Sequence, residues 1–419
     1  MAKVIQQDLI PVHLAAELLN VSPDTIRRWH KKGLIKAIMG PHGERLFSKD
    51  EISRVNQKGS SSDKPWKVLN APKYKLTSIE LLCGAGGLAL GMHNAGINSR
   101  LLVDFDKDSI KTLQQNRPKW ESICASVLDI DLDEYENQID IMAGGFPCQA
   151  FSHAGKSLGF ADTRGTLFYE YARLIAQVKP RLVIGENVKG LLNHDEGRTL
   201  SVIVSELENL GYRVAYKLMR AQFLDVPQKR ERLIIFGLRN DIDSEIFFPL
   251  EKDYTITMRA ALKGVPKSPG QTYTESKRKI MELIPEGGYW RDLPEELQKE
   301  FMGGSYHLGG GKTGMARRLA WSEPSLTLTC NPAQKQTERC HPKETRPLTV
   351  REYARIQTFP DDWAFAGSVS SQYKQIGNAV PVNLGYHVGL AARKILSVPS
   401  NQAEDPAKLM AFTEDLKLF

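Results

Sequence analysis

From about Leu76 the chain alternates short apolar runs with amphipathic segments, and this alternation constrains the fold more than any other feature. Short apolar runs suit strands buried on both faces. The segments between them suit the crossover helices that parallel strands require. The pattern therefore predicts βα units on a mainly parallel sheet, an α/β fold of the Rossmann-like kind. Strands are expected at residues 78–82, 101–104, 139–142 and 182–185, and another over 233–236. A helix is expected where Leu200, Ile203, Val204, Leu207 and Leu210 recur at helical spacing, with Gly211 ending it. Between about Asn240 and Thr345 the alternation fades into clustered glycines, scattered aromatics and basic residues. That stretch reads as an irregular insertion or a small β-rich domain, and sheet-like patterning resumes near Arg346.

The polar run from Lys58 to Pro65 (KGSSSDKP) marks a composition break of the linker kind. The expected organisation is a small head over 1–57, a linker over 58–72, an α/β domain over 73–239, an insertion over 240–345, completion of the α/β domain over 346–396, and a polar tail over 397–419.

Composition excludes some classes and leaves others open. Hydrophobic residues at 41% and charged residues at 25% are those of an ordinary globular chain, and no apolar run reaches the length of a membrane span. The start, MAKVIQQDLIPVH, lacks a basic-then-apolar leader. Five cysteines without a CxxC pair argue against a disulfide framework and a zinc knuckle, and a cytoplasmic setting is expected. Cys330, Cys340 and His341 lack a fourth ligand, so no metal is expected. The net charge of +7 is compatible with a polyanionic partner without deciding for one.

Residues 10–57 carry a helix-turn-helix pattern. A first helix is expected over 12–19 and a turn at Asn20-Val21-Ser22, with Ser22 as cap and Pro23 in the first turn of a second helix running to Lys32. Gly33 ends that helix, and Arg45-Leu46-Phe47 after a Gly-Pro-rich hairpin is placed to form a wing. The stretch resembles the winged helix-turn-helix of MerR and excisionase proteins. The resemblance implies DNA contact through the second helix, with Thr25, Arg27, Arg28 and Lys31 as candidates.

The strand ending at Leu82 runs into Cys83-Gly84-Ala85-Gly86-Gly87, where glycines allow a tight turn and close approach of a ligand. Such turns also serve purely structural ends, and the strict GxGxxG of dinucleotide enzymes is absent because Ala89 holds the third glycine position. About 20 residues on, Asp104-Phe105-Asp106 closes the next strand; an acid there can bind ribose hydroxyls and an adjacent aromatic can stack on adenine. A nucleoside-containing cofactor follows, with nicotinamide and S-adenosylmethionine equally open on these residues alone.

Gly145-Phe146-Pro147-Cys148-Gln149 follows an apolar strand, a place where α/β enzymes expose a nucleophile, although an isolated cysteine is more often a buried hydrophobe. Glu186 ends another strand and would face the same crevice in a parallel sheet. In Gln228-Lys229-Arg230-Glu231-Arg232, alternation brings Gln228, Arg230 and Arg232 to one side.

Together these segments resemble the C5-cytosine DNA methyltransferase family, from about Leu76 to Leu238 and again from about Arg346 to Ala392. The matching blocks are ELLCGAGG, VDFD, GGFPCQAFS, RGTLFYEYARL, ENVKG, QKRER, RPLTVREYARIQTFPDDW and YKQIGNAVPV. Leu82 stands where the family usually has phenylalanine, and Glu80 where it usually has aspartate. The resemblance implies Cys148 as nucleophile at cytosine C6, Glu186 on N3 and the exocyclic amine, Arg232 on O2, and Arg230 shaping the site. It implies S-adenosyl-L-methionine as cofactor, held by Leu82, Gly84, Ala85, Gly87, Asp104, Phe105, Asp129, Ile130, Pro147, Leu167, Asn378 and Ala379. It makes double-stranded DNA the partner of a monomeric catalytic unit, with the target base flipped out under a loop over 149–166. Gln149, Ser152 and His153 are the candidates for DNA contact there. The region before Arg346 would be the target-recognition domain, with Arg317, Arg318 and Thr327 as base-contact candidates. A tRNA-methylating branch and a regulator acting through the head are the competing readings, alongside a restriction-modification enzyme.

Overall fold

The computed structural model describes residues 9–19, 23–31, 35, 37–40, 44–48, 52, 64–146, 167–307 and 312–397. The expected linker residues 58–63, the tail beyond Ser397, and Pro147, Cys148, Gln149, Ser152 and His153 lie outside them. The chain divides into two compact units, 1–64 and 65–419.

In the first unit, strand β1 (Leu9–Pro11) leads into helix α1 (Val12–Leu18) and then α2 (Pro23–Lys31). Strands β2 (Ile38–Met39) and β3 (Arg45–Ser48) complete an antiparallel sheet of order β1-β3-β2. Ala15, Ala16, Ile26, Ile35, Phe47 and Ile52 form its core, with members from both helices and the wing strand, while Leu14 and Leu18 of α1 are exposed. Arg27 is exposed on α2 and Thr25 half-buried; the side chains of Arg28 and Lys31 lie outside the described set, as do Ser22 and Gly33.

The second unit is built on one seven-stranded sheet. In chain order it runs β4 (Thr77–Leu81), α3 (Gly87–Asn94), β5 (Asn98–Asp104), α4 (Lys107–Asn116), β6 (Ser122–Cys124), β7 (Ile141–Gly144), α5 (Leu167–Val178) and β8 (Leu182–Val188). It continues with α6 (Arg198–Asn209), β9 (Tyr212–Arg220), β10 (Gln228–Lys229) and β11 (Glu231–Arg239). The sheet order is β6-β5-β4-β7-β8-β11-β9. Strands β6 to β8 pair in parallel, and β11 is antiparallel to both β8 and β9. β4 and β7 are almost wholly buried because helices cover both faces. Ile141 and Ala143 pack with Leu88, Met92 and Leu384 on one side, and Met142 packs with Phe168 and Ile175 on the other. The edge strand β9 is half-exposed along much of its length. Gly211, with φ +89°, stops α6 where the spacing predicts.

Chain order reverses at β4: β5 and β6 lie to one side, β7 and β8 to the other. The carboxyl ends of β4 and β7 therefore flank the topological switch point, where open α/β sheets hold their ligands.

Residues 240–345 contain short helices α7 (Met258–Leu262), α8 (Glu275–Glu282) and α9 (Glu295–Met302), and a two-residue strand β12 (Ser325–Leu326) paired in parallel with β10. The region is irregular, as expected, but not β-rich. Part of it has its own core of Met281, Ile284, Trp290, Leu293, Met302 and Met315. Met258, Leu262, Leu319 and Leu328 instead join the body's cluster with Tyr353 and Trp363. Helices α10 (Val350–Ile356), α11 (Val369–Asn378) and α12 (Val382–Ser397) complete the body.

The expected linker is shortened on its second half. Trp66 Nε1 donates to the Arg355 carbonyl, and Asn383 ties down Lys67 and Leu69. These apolar and backbone groups gain more from docking than from remaining in solvent. Among the described residues no helix is long and apolar enough to cross a membrane.

Candidate active site

A pocket of about 500 Å³ opens at the switch point, within the range of small-molecule and cofactor sites. One wall is the turn after β4. Its backbone is left-handed at Leu82 (φ +56°), Gly84 (+54°) and Gly86 (+80°). For leucine this conformation costs about 1–2 kcal/mol, a strain that the surrounding bonds must offset. Cys83 N donates to the Val103 carbonyl, and Gly84 N donates to Asp104 Oδ2 at 2.7 Å. Asp104 Oδ1 takes the Asp106 N–H at 2.8 Å. Both Asp104 oxygens thus brace the turn while the residue still lines the pocket. A side chain at Gly87 would collide with the Val380 carbonyl, so glycine is what lets α3 pack against the start of α12.

Of the expected cofactor residues, Leu82, Gly84, Asp104, Phe105, Leu167, Asn378 and Ala379 line this pocket. Phe105 stands 67% exposed at its rim, an open apolar ring with area left to cover. Ala85 and Gly87 belong to the turn without reaching the lining. Asp129 and Ile130 follow β6 outside the lining residues, Asp129 exposed, with the Ile130 carbonyl accepting from Arg173. Pro147 lies outside the described residues.

The opposite wall is formed by the ends of β8 and β11. In their antiparallel register Glu186 faces Ile234, and Arg232 lies two residues away on the same face. Arg232 Nε and Glu186 Oε1 meet at 2.7 Å, each side chain 13% exposed. A charged pair this far withdrawn from water keeps its orientation and is screened little. Arg230, just before β11, is buried. Its Nη1 donates to the Leu328 carbonyl (3.3 Å) and its Nη2 to that of Gly377 (3.1 Å). Burial and the neighbouring Arg232 push this guanidinium down from its ordinary value. Arg230 therefore ties the insertion to α11 while it lines the pocket. Gln228 does not share that lining: Leu328 N and Gln357 engage its amide in the core.

Asn187, Lys374 and Glu80 also line the site without being among the candidates named from sequence, where Glu80 figures only as a departure from the family pattern. Asn187, beside Glu186, is buried and donates from Nδ2 to the Phe146 carbonyl at 2.7 Å, fixing the backbone that leads into Pro147 and Cys148. Its place in the Glu-Asn-Val strand end was the available signal. Lys374, at the rim, pairs with Asp106 at 3.1 Å. Glu80, the departure within the glycine-turn block, lines the pocket as well.

Arg318, expected to face a base, is a correction. It is 4% exposed, and its guanidinium donates to the carbonyls of Met281, Ile284, His341 and Glu344 and to Thr345 Oγ1. No donor remains for a base. Arg317 is mostly buried, with Glu323 at 3.6 Å and the Tyr289 ring below it. Thr327 Oγ1 donates to the Lys229 carbonyl at 2.7 Å. Cys330 lies against Asn378 at 3.0 Å. Among the described residues no group of three His, Cys, Asp or Glu side chains could hold a metal ion.

Fold and pocket define an α/β enzyme with one polar site at the switch point of its sheet. The C-5 cytosine-specific DNA methylase family model matches residues 76–394, and the chain belongs to that family: it is a DNA cytosine-5 methyltransferase. The type II methyltransferase M.Eco47II of Escherichia coli is 51% identical over 396 residues, 91% of this chain and 94% of that protein. M.Sau96I of Staphylococcus aureus is 48% identical over 374 residues, 86% of this chain and 87% of its own. Among solved structures, a DNA modification methyltransferase encoded within an E. coli prophage shares the fold, with a TM-score of 0.57 at 22% identity over 77% of this chain and 100% of that one. Residues 15–47 match the MerR family regulatory protein model.

Proposed function

We propose that this enzyme moves a methyl group from S-adenosyl-L-methionine to C5 of a cytosine flipped out of a short, specific duplex site, as the modification half of a type II restriction-modification system. The observation that carries this reading is the Glu186–Arg232 pair, set 2.7 Å apart on the pocket wall beside the Asn187-held strand end that leads to Cys148.

The pocket fits the donor. Its volume suits a nucleoside with an amino-acid arm, Phe105 offers an open ring at the rim, and Glu80 Oε2 is buried without a hydrogen-bond partner. Leu82, Gly84, Asp104, Leu167, Asn378 and Ala379 would surround it. When bound, S-adenosylmethionine supplies an electrophilic methyl group.

Cytosine C5 is too weak a nucleophile unaided. The Cys148 thiolate adds to C6, and the electron pair of the C5–C6 bond moves toward C5 and the N3–O2 edge. Glu186 hydrogen-bonds N3 and the exocyclic amine, while Arg232 contacts O2, so the developing charge meets preorganised partners in a site with little water. Once C5 carries the methyl group, loss of its proton and departure of Cys148 restore the ring. Arg230 acts by holding the insertion and α11 around this edge.

Sequencing of DNA methylation in a host expressing the chain tests the proposal. The expected result is 5-methylcytosine in one short motif, absent with Cys148→Ser; N4-methylcytosine or N6-methyladenine would refute it. A second reading, regulation of transcription through the head, is favoured by the MerR match and the basic α2 helix. Footprinting of upstream DNA by the C148S protein is expected to show a site that shrinks when Arg27 and Arg28 are replaced by alanine.

A further inference from the structure

After β12 the chain runs along the wall of the pocket. Arg230 holds the Leu328 and Gly377 carbonyls together, and a side chain at Gly377 would strike the Thr329 carbonyl and the Cys330 N–H. Cys330 Sγ donates to Asn378 Oδ1 at 3.0 Å. Gly377 and Asn378 line the pocket, whereas Cys330 and Asn331 are exposed. The loop over 330–337 therefore starts from the pocket's own wall and rises at its mouth.

That loop is closed and braced. At its far end Arg339 donates from Nε to the Thr327 carbonyl at 3.0 Å, and from its backbone N to the Pro332 carbonyl at 2.9 Å. The Thr329 and Thr337 hydroxyls meet at 3.2 Å, and Asn331 Oδ1 takes the Ala333 N–H. Lys277 of α8 donates to the Ala333 carbonyl at 2.6 Å. Backbone tied at this many points presents its outer side chains in fixed directions, which lowers the ordering cost of binding.

The outer side chains are mostly carboxamides. Asn331, Gln334, Lys335 and Gln336 are exposed, and none is acidic. Lys335 Nζ lies over the Phe301 ring at 5.0 Å, and Gln334 Oε1 accepts from the Thr337 hydroxyl at 3.4 Å. No described residue engages the Gln336 carboxamide. Arg318 and Thr327, by contrast, use their donors inside the protein. A carboxamide offers a donor and an acceptor in one plane. It suits a purine edge in the major groove, where N7 accepts on adenine and guanine alike.

We propose that Gln336 is a specificity-determining residue, whose Nε2 donates to N7 of a purine in the major groove close to the target cytosine, with the 330–337 loop as its rigid mount. The proposal rests on the reading of this chain as a sequence-specific cytosine methyltransferase, and adds the contact that selects one base pair of the site.

Competition between duplexes tests this with the full-length enzyme. Methylation sequencing of DNA treated with wild type gives the motif, and initial rates on duplexes carrying each single-pair change give the discrimination at every position. Gln336→Ala is expected to lose roughly tenfold or more of that discrimination at one base pair and there alone. Gln336→Glu, which sets a second acceptor against N7, is expected to methylate the wild-type motif more slowly than Q336A. Donor affinity, read by calorimetry, is expected to stay at the wild-type value in both. Unchanged discrimination in Q336A, or an equal loss at all positions, would overturn the proposal while leaving the activity reading intact. A fall in donor affinity would overturn it too, because the residue would then be supporting the pocket wall. Absence of any 5-methylcytosine, or of any motif, with wild type would sink both readings.

Discussion

Glu186 and Arg232 belong to different strands, β8 and β11, yet the antiparallel register brings their charged ends to 2.7 Å on one face, each largely withdrawn from solvent. Their partnership arises from strand pairing and not from closeness in sequence. If the pair meets the reacting edge of the base, Glu186→Gln should keep the shape and lose the charge. Single-turnover methyl transfer should fall by about 10²–10³-fold, with donor affinity, read by calorimetry, changed much less. Equal losses in rate and donor binding would argue for a general collapse of the pocket.

Asn187 faces the other way from Glu186 and holds the Phe146 carbonyl. Asn187→Ala should cost about 1–3 kcal/mol of stability, because a buried acceptor loses its partner. It should also slow single-turnover transfer at least about tenfold, since the backbone entering Cys148 loses its tether. Saturating donor should not restore the rate.

Asp225 anchors β10 to α12 from a buried position, accepting from Tyr254 (2.6 Å) and meeting Lys252 (2.8 Å) and His387 (2.9 Å). Burial alone would raise its carboxyl, but His387, Lys252 and Tyr254 outweigh burial and hold it well below the ordinary carboxylate range. A depressed folded-state value means that the stabilisation is complete above the unfolded carboxyl's value and fades as pH falls below it. Asp225→Asn should therefore lower stability by about 3 kcal/mol at pH 7, and the gap to wild type should narrow between about pH 4 and pH 2. Urea titrations across pH check both halves.

Arg318 braces the insertion, its donors taken up by four carbonyls and the Thr345 hydroxyl. Arg318→Met leaves four carbonyls without their donor and should cost about 3 kcal/mol or more, read as a lower melting temperature. Any active fraction should methylate the wild-type motif. An unchanged melting temperature with an altered motif would restore Arg318 to the DNA interface.

The sheet was legible because β4, β7 and β8 are buried on both faces and read as apolar runs, and α6 because one of its faces is continuous. The pocket was legible in part: Gly84, Asp104 and Glu186 stand at strand ends, where topology brings distant segments together. What escaped depends on which polar groups the fold buries. Arg317-Arg318 reads as an exposed basic pair, and only the packing of Met281, Ile284 and His341 around it shows a core arginine. Trp66 and Val68 follow a flexible run, and nothing in their neighbours announces that they dock.

The central claim is a covalent bond between Cys148 and the target base, and trapping tests it most directly. Duplex DNA carrying 5-fluorocytosine in the methylated motif, incubated with enzyme and S-adenosylmethionine, cannot lose a proton from C5. The account predicts a stable one-to-one adduct whose cross-linked peptide maps to Cys148. No adduct, or one through Cys83, Cys124, Cys330 or Cys340, would contradict it.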